Sequence, residues 1–200
     1  EHAVFKKLRT PELIQDYLEA LPQNFSFSRA ETFRSPRRVL QKKSSYCFEG
    51  AVFGAASLAY HGRGAWLLDL QTSNDDWDHV VALFKEKNLW GAVSKTNNPV
   101  LRYRDPVYKS VRELAMSYFH EYFLENGKKS MLAYSGAFDL TRFKPEEWVV
   151  TEEPLDWLAE KLDDSPHYPV APKSVLKNAR KATTLERKLL SMREWEKTKN

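Results

Sequence analysis

A single cysteine, Cys47, occurs in 200 residues. With no partner for an internal disulfide, it excludes a disulfide-stapled secreted scaffold and leads us to expect a reducing, cytoplasmic setting. Glycine is scarce as well, seven in all, and no cluster of them forms the phosphate-cradling loop of nucleotide-binding enzymes. No long hydrophobic run is present: the longest nearly uncharged apolar stretch, residues 50–60, is about half of the roughly 20 residues that span a bilayer. No basic segment leads into an apolar one near residue 1, so no signal peptide is expected. Internal repeats and low-complexity segments are also missing.

What remains is ordinary globular material, 42% hydrophobic and 29% charged, enough for a substantial core. The net charge of +4 is unevenly placed. Residues 171–200 hold nine basic and three acidic side chains, so this tail carries +6 and the rest of the chain −2. Basic tails bind nucleic acid or anionic surfaces. Here the basic residues are interspersed, which reads first as a solvated helix face and leaves nucleic acid a minor alternative.

Start signals mark several helices. Thr10 before Pro11 opens one carrying Leu13, Ile14, Tyr17, Leu18 and Leu21, and Ser35 before Pro36 opens a short second one. Ser44 and Ser45 offer caps for a third, whose small residues (Gly50, Ala51, Gly54, Ala55, Ala56, Ala59) predict close packing at the centre of the fold. Residues 65–70, 79–84 and 89–94 then read as strands. A turn at residues 85–88 would pair Phe84 with Leu89, which places His79 opposite Ser94 on one face. Ser110 and Glu113 form a capping box for a further helix. Residues 131–138 predict another strand and residues 152–162 another helix. Pro166, Pro169 and Pro172 read as a linker, dividing an α+β domain (1–165) from a basic helical C-terminal appendage (170–200).

Cys47 lies in the first turn of the glycine- and alanine-rich helix, where free N–H groups and the helix dipole favour a thiolate and predict a lowered thiol pKa. Buried cysteines are also common as small hydrophobes. A thiol nucleophile needs a base, and the base needs a partner on its second ring nitrogen. His79, at the head of a strand, is the candidate base, and Ser94 fills the partner position. Asn97 or Asn98 offers an alternative amide, and Asp76 or Asp78 a neighbouring charge. Asp75, Asp76, Asp78 and His79, with His120 and Glu121, read as solvated turns rather than a metal cluster. His120-Glu121 lacks the second histidine of a zinc-protease helix. Tyr118, Phe119, Tyr122 and Phe123 read as core. Glu49, inside an apolar helix, requires a cationic partner such as Arg102 or Arg104.

The order of helix-start Cys, helix, strand, strand-start His and hairpin resembles the core of the transglutaminase-like superfamily of papain-like thiol enzymes. The resemblance covers residues 46–97, carried by Cys47-Phe-Glu-Gly-Ala, Trp66-Leu-Leu-Asp-Leu, His79-Val-Val-Ala-Leu-Phe and Trp90-Gly-Ala-Val-Ser94. The superfamily's usual Asp is replaced by Ser94. The resemblance implies a papain-like α+β fold with a central Cys-bearing helix on a small antiparallel sheet and further helices at both ends. It also implies thiol-dependent hydrolysis or transfer of an amide or ester, with Cys47 as nucleophile, His79 as general base and acid, and Ser94 or Asn97 as orienter. No cofactor is called for, and a peptide or protein is the expected substrate. A module that has lost catalysis and binds a peptide in the old cleft is the alternative.

Overall fold

The computed structural model describes residues 1–25 and 33–196. The chain begins with α1 (His2–Phe5), α2 (Pro11–Ala20) and α3 (Pro36–Lys42). The last two start where short polar side chains meet proline. Thr10 Oγ1 accepts from Leu13 N and Ser35 Oγ from Arg38 N, while Pro11 and Pro36 occupy positions whose N–H would go unused.

The central helix α4 (Cys47–Tyr60) has Cys47 in its first turn, as expected, with a different cap. Tyr46 is its N-cap residue, and Glu49 reaches back to accept from Tyr46 N at 3.2 Å. Ser45 is fully buried one position earlier, in a parallel bridge with Gln23. Its backbone bonds Pro22 and Asn24 instead of opening the helix. Small residues let α4 lie directly on the sheet: a Cβ on Gly54 would come within 2.8 Å of Val93 Cγ2 and 3.3 Å of Ala82 Cβ.

The sheet comprises β1 (Trp66–Thr72), β2 (His79–Glu86), β3 (Leu89–Val93) and β4 (Arg104–Tyr108), then β5 (Met131–Ser135), β6 (Phe138–Asp139) and β7 (His167–Pro169). Its order is β4-β3-β2-β1-β5-β7, with β6 also on β1, and the pairs are antiparallel. Helices α5 (Val111–Met116), α6 (Pro145–Trp148), α7 (Asp156–Asp163), α8 (Lys173–Lys177) and α9 (Thr184–Arg187) complete the chain. The protein is therefore α+β. No helix among the described residues is long and apolar enough to cross a membrane.

Two cores sandwich the sheet. Val80, Ala82, Phe84 and Val93 pack with α4 on one face, and Leu70, Val81, Leu83 and Ala92 pack with Leu114, Tyr118 and Tyr122 on the other. Burial on both faces explains the unbroken apolar run in β2, since alternate side chains all meet protein.

Two expectations need correction. The β2–β3 hairpin closes through two residues, Lys87 and Asn88, with φ of 49° and 66°, pairing Glu86 with Leu89 and Phe84 with Gly91. Two positive φ angles give the turn whose twist suits adjoining strands. The register thus moves by two residues, which keeps every side chain on its expected face. The proline-spaced segment is not a bare linker either. His167–Pro169 pairs with β5 as an edge strand, and Val170 is buried in the second core. An edge strand tolerates proline because its outer side needs no donor, as Pro106 does in β4 at the opposite edge.

Candidate active site

Cys47, His79, Asn97 and Tyr122 line one cleft of about 580 Å³, open at the end of the sheet where α4 and β2 begin. Each arrives by a different route. Cys47 is the first residue of α4 and keeps partial solvent access. Its Sγ lies 4.0 Å from the Asp78 carbonyl oxygen. His79 is the first residue of β2 and is 5% exposed.

His79 Nε2 lies 2.8 Å from Ser94 Oγ, and Ser94 Oγ donates to the Leu101 carbonyl at 2.7 Å. The second bond settles the first. With its proton given to Leu101, the hydroxyl can only accept from the imidazole, so the ring carries its proton on Nε2 and leaves Nδ1 as the basic nitrogen. Ser94 is not opposite His79 in the ladder; continuing the observed register puts it diagonally across, within side-chain reach on the same face. Its backbone is fixed from α2: Gln15 Oε1 accepts from Ser94 N at 2.8 Å, and Gln15 Nε2 donates to Ser94 O at 2.9 Å.

His79 does not share the sheet face that α4 covers. It pairs with Leu70, which packs in the second core, whereas α4 rests on the face of Val80. Thiol and imidazole share only the cleft at the open end of the sheet, and no hydrogen bond joins them among the described residues.

The expected thiolate is corrected as well. Burial pushes the Cys47 thiol up to about 11. The N–H groups of Val80 and Phe48 act against this shift, and the carboxylates of Asp69 and Glu49 add to it. Removing a charge from water here outweighs the helix start. Burial likewise pushes His79 down to about 4, with the Leu101 carbonyl opposing and the Arg104 charge assisting. Both groups are neutral at neutral pH.

Other sequence candidates have separate roles. Asn97 does not touch His79: its side chain bonds Trp195. The Asn98 carbonyl accepts from Arg102. Asp78 Oδ1 accepts from Thr72 N and Oγ1, and Asp76 accepts from Trp77 N and Ser130 Oγ, so both brace the loop ahead of β2. Glu121 pairs with Arg104 at 2.5 Å, and no cluster of metal-ligating side chains forms among the described residues. Glu49 is fully buried, and its cation is Arg34 at 3.7 Å, not Arg102 or Arg104; Asn24 Nδ2 and the N–H groups of Arg34 and Tyr46 also donate to it.

Sequence reasoning misses three features. Tyr122 packs in the second core as read, but it also lines the cleft, and its buried hydroxyl has no hydrogen-bond partner among the described residues. Burial raises its pKa, and the nearby Cys47 adds to that. Lys95 is 1% exposed and donates to the Leu21 carbonyl; burial lowers its pKa to about 8. Asp69, 2% exposed, bonds His167 Nε2 at 3.1 Å, tying β7 to β1. An acidic residue inside the apolar run 66–70 is the available signal for the last pair.

Comparison with protein-family models and with curated proteins returns no match to this chain.

Proposed function

We propose that the protein performs thiol-dependent acyl chemistry on an amide or ester, within a papain-like, transglutaminase-like arrangement. The observation that carries this reading is the imidazole of His79, held by Ser94 with its proton on Nε2, opening onto the same cleft as the Cys47 thiol.

In the proposed reaction His79 Nδ1 takes the Cys47 proton as sulfur attacks the acyl carbon. The new C–S bond forms while the carbonyl π electrons move to oxygen. The resulting oxyanion is met by the Cys47 N–H and by the Tyr122 hydroxyl, a donor with no other partner among the described residues. The tetrahedral intermediate collapses, the C–N or C–O bond breaks, and His79 returns its proton to the leaving group. Water or an amine then attacks the thioester and gives its proton to His79; the C–S bond breaks, the acid or amide leaves, and His79 returns the proton to the Cys47 sulfur. Because both groups rest neutral, the proton moves during attack rather than before it. Ser94 orients the imidazole but does not compensate imidazolium charge as a carboxylate would.

An activated aryl ester tests the reading. A burst of phenolate equal to the protein concentration, lost in Cys47→Ala and His79→Ala, is the expected result; a trace with neither a burst nor turnover that depends on Cys47 overturns it. The raised thiol pKa and the absent thiol–imidazole bond favour one second reading, a non-catalytic peptide-binding module. That reading predicts no burst from the wild type.

A further inference from the structure

The chain's own segment 190–195 borders the cleft. Asn97 Nδ2 donates to the Trp195 carbonyl at 2.9 Å, and Asn97 Oδ1 accepts from Trp195 N at 2.7 Å. Glu194 N donates to the Asn97 carbonyl at 3.1 Å. Arg102 Nη2 pairs with Glu194 Oε2 at 3.0 Å, and Lys95 Nζ lies 5.9 Å from the centre of the Trp195 ring. Just upstream, Leu190 and Arg193 line the cleft that contains Cys47 and His79.

These contacts divide into two kinds. Exchange of N–H and C=O with one residue through a side-chain amide engages only main-chain groups, so it recognises a peptide backbone whatever its side chain; the backbone bends at Glu194 and Trp195. The contacts to Arg102 and Lys95 select side chains: a carboxylate at the first position and an aromatic ring at the second. Apolar burial of the segment is partial: Leu189, Leu190 and Trp195 are half-buried, whereas Met192 is 54% exposed and Glu194 and Glu196 are exposed. A segment held mainly by polar contacts at the surface exchanges with a competitor more readily than one buried in a core.

We propose that Lys95, Asn97 and Arg102 form a binding subsite for a peptide carrying an acidic residue followed by an aromatic one, and that Glu194-Trp195 occupies it in cis. Its use as a substrate subsite rests on the thiol reading above; its binding of peptide does not. The cis segment competes at the high effective concentration that tethering confers, so peptide added in trans binds weakly until the segment is released.

The test uses the full chain and a fluorescein-labelled peptide copying residues 189–200, followed by anisotropy. Two release variants are used, Trp195→Ala and Glu194→Lys, so that misfolding of one leaves the other to decide. At least fivefold tighter peptide binding than wild type is expected from a folded release variant. Adding Asn97→Ala should remove that gain, and a peptide with alanine at both the Glu194 and Trp195 positions should compete at least tenfold less well. Equal affinity in wild type and release variants, a gain that survives Asn97→Ala, or equal competition by the alanine peptide would each overturn the proposal. Repeating the titration in Cys47→Ser separates the two readings. Unchanged binding there supports the subsite even when the ester burst fails, and lost binding counts against it.

Discussion

Iodoacetamide should alkylate Cys47 slowly at neutral pH, and the size of the effect follows from burial. A thiol pushed up to about 11, set against about 8.5 for a free thiol, holds on the order of 300-fold less thiolate near pH 7. Higher intrinsic nucleophilicity of the more basic thiolate, with a Brønsted slope of about 0.4–0.5, recovers roughly tenfold. The net rate should lie about 20- to 30-fold below that of a free thiol, rising through pH 9 without a plateau. His79→Ala should change this rate less than about twofold, because the imidazole is neutral near pH 7 and does not touch the sulfur at rest. The same substitution should abolish the ester burst, where proton transfer is required. Alkylation followed by intact-mass spectrometry between pH 6 and 10 reads both effects. A midpoint at or below about 8.5 would refute the argument that burial outweighs the helix start. A large loss of alkylation in His79→Ala would show instead that thiol and imidazole are paired in solution.

Three further outcomes are expected. Glu49→Ala removes the carboxylate that neutralises Arg34 and receives buried donors, and should cost about 3–5 kcal/mol in urea unfolding; a cost below about 1 kcal/mol would mean that the network relaxes freely. Ser94→Asp should raise the His79 pKa, read by NMR titration, because an anion beside Nε2 favours imidazolium. It should also lose about 1–3 kcal/mol of stability, since the Leu101 carbonyl loses its donor, and an unmoved His79 would contradict the contact. The His167–Asp69 bond raises the His167 pKa. Its stabilisation is therefore complete below the unfolded value of about 6.5 and is lost as pH rises through the folded value; wild type and His167→Gln should converge in urea midpoint by pH 8.5, and a gap that widens with pH would sink the assignment.

Local signals make the frame of the fold legible in the chain itself. Thr10-Pro11 and Ser35-Pro36 start helices because capping and proline geometry are properties of neighbouring residues. The small-residue face of α4 announces a helix pressed against a sheet. His79 and Ser94 can be paired from sequence despite a register that differs by two residues, because side chains alternate with period two and an even slip preserves the face. The same period, applied to β2 alone, leaves open which sheet face α4 covers, and that choice sets the thiol and imidazole apart.

Long-range packing decides the rest. Helix-start chemistry argues for a low thiol pKa at Cys47, but the opposite shift comes from desolvation by groups distant in sequence and from the carboxylates of Asp69 and Glu49. Arg34 becomes the partner of Glu49, and Trp195 the partner of Asn97, through contacts that span 15 and 98 residues. Glycine, proline and caps act within a few residues and so are written in the sequence. Burial, and the charge that burial tolerates, depend on everything that surrounds a group, and only the folded chain assembles those surroundings.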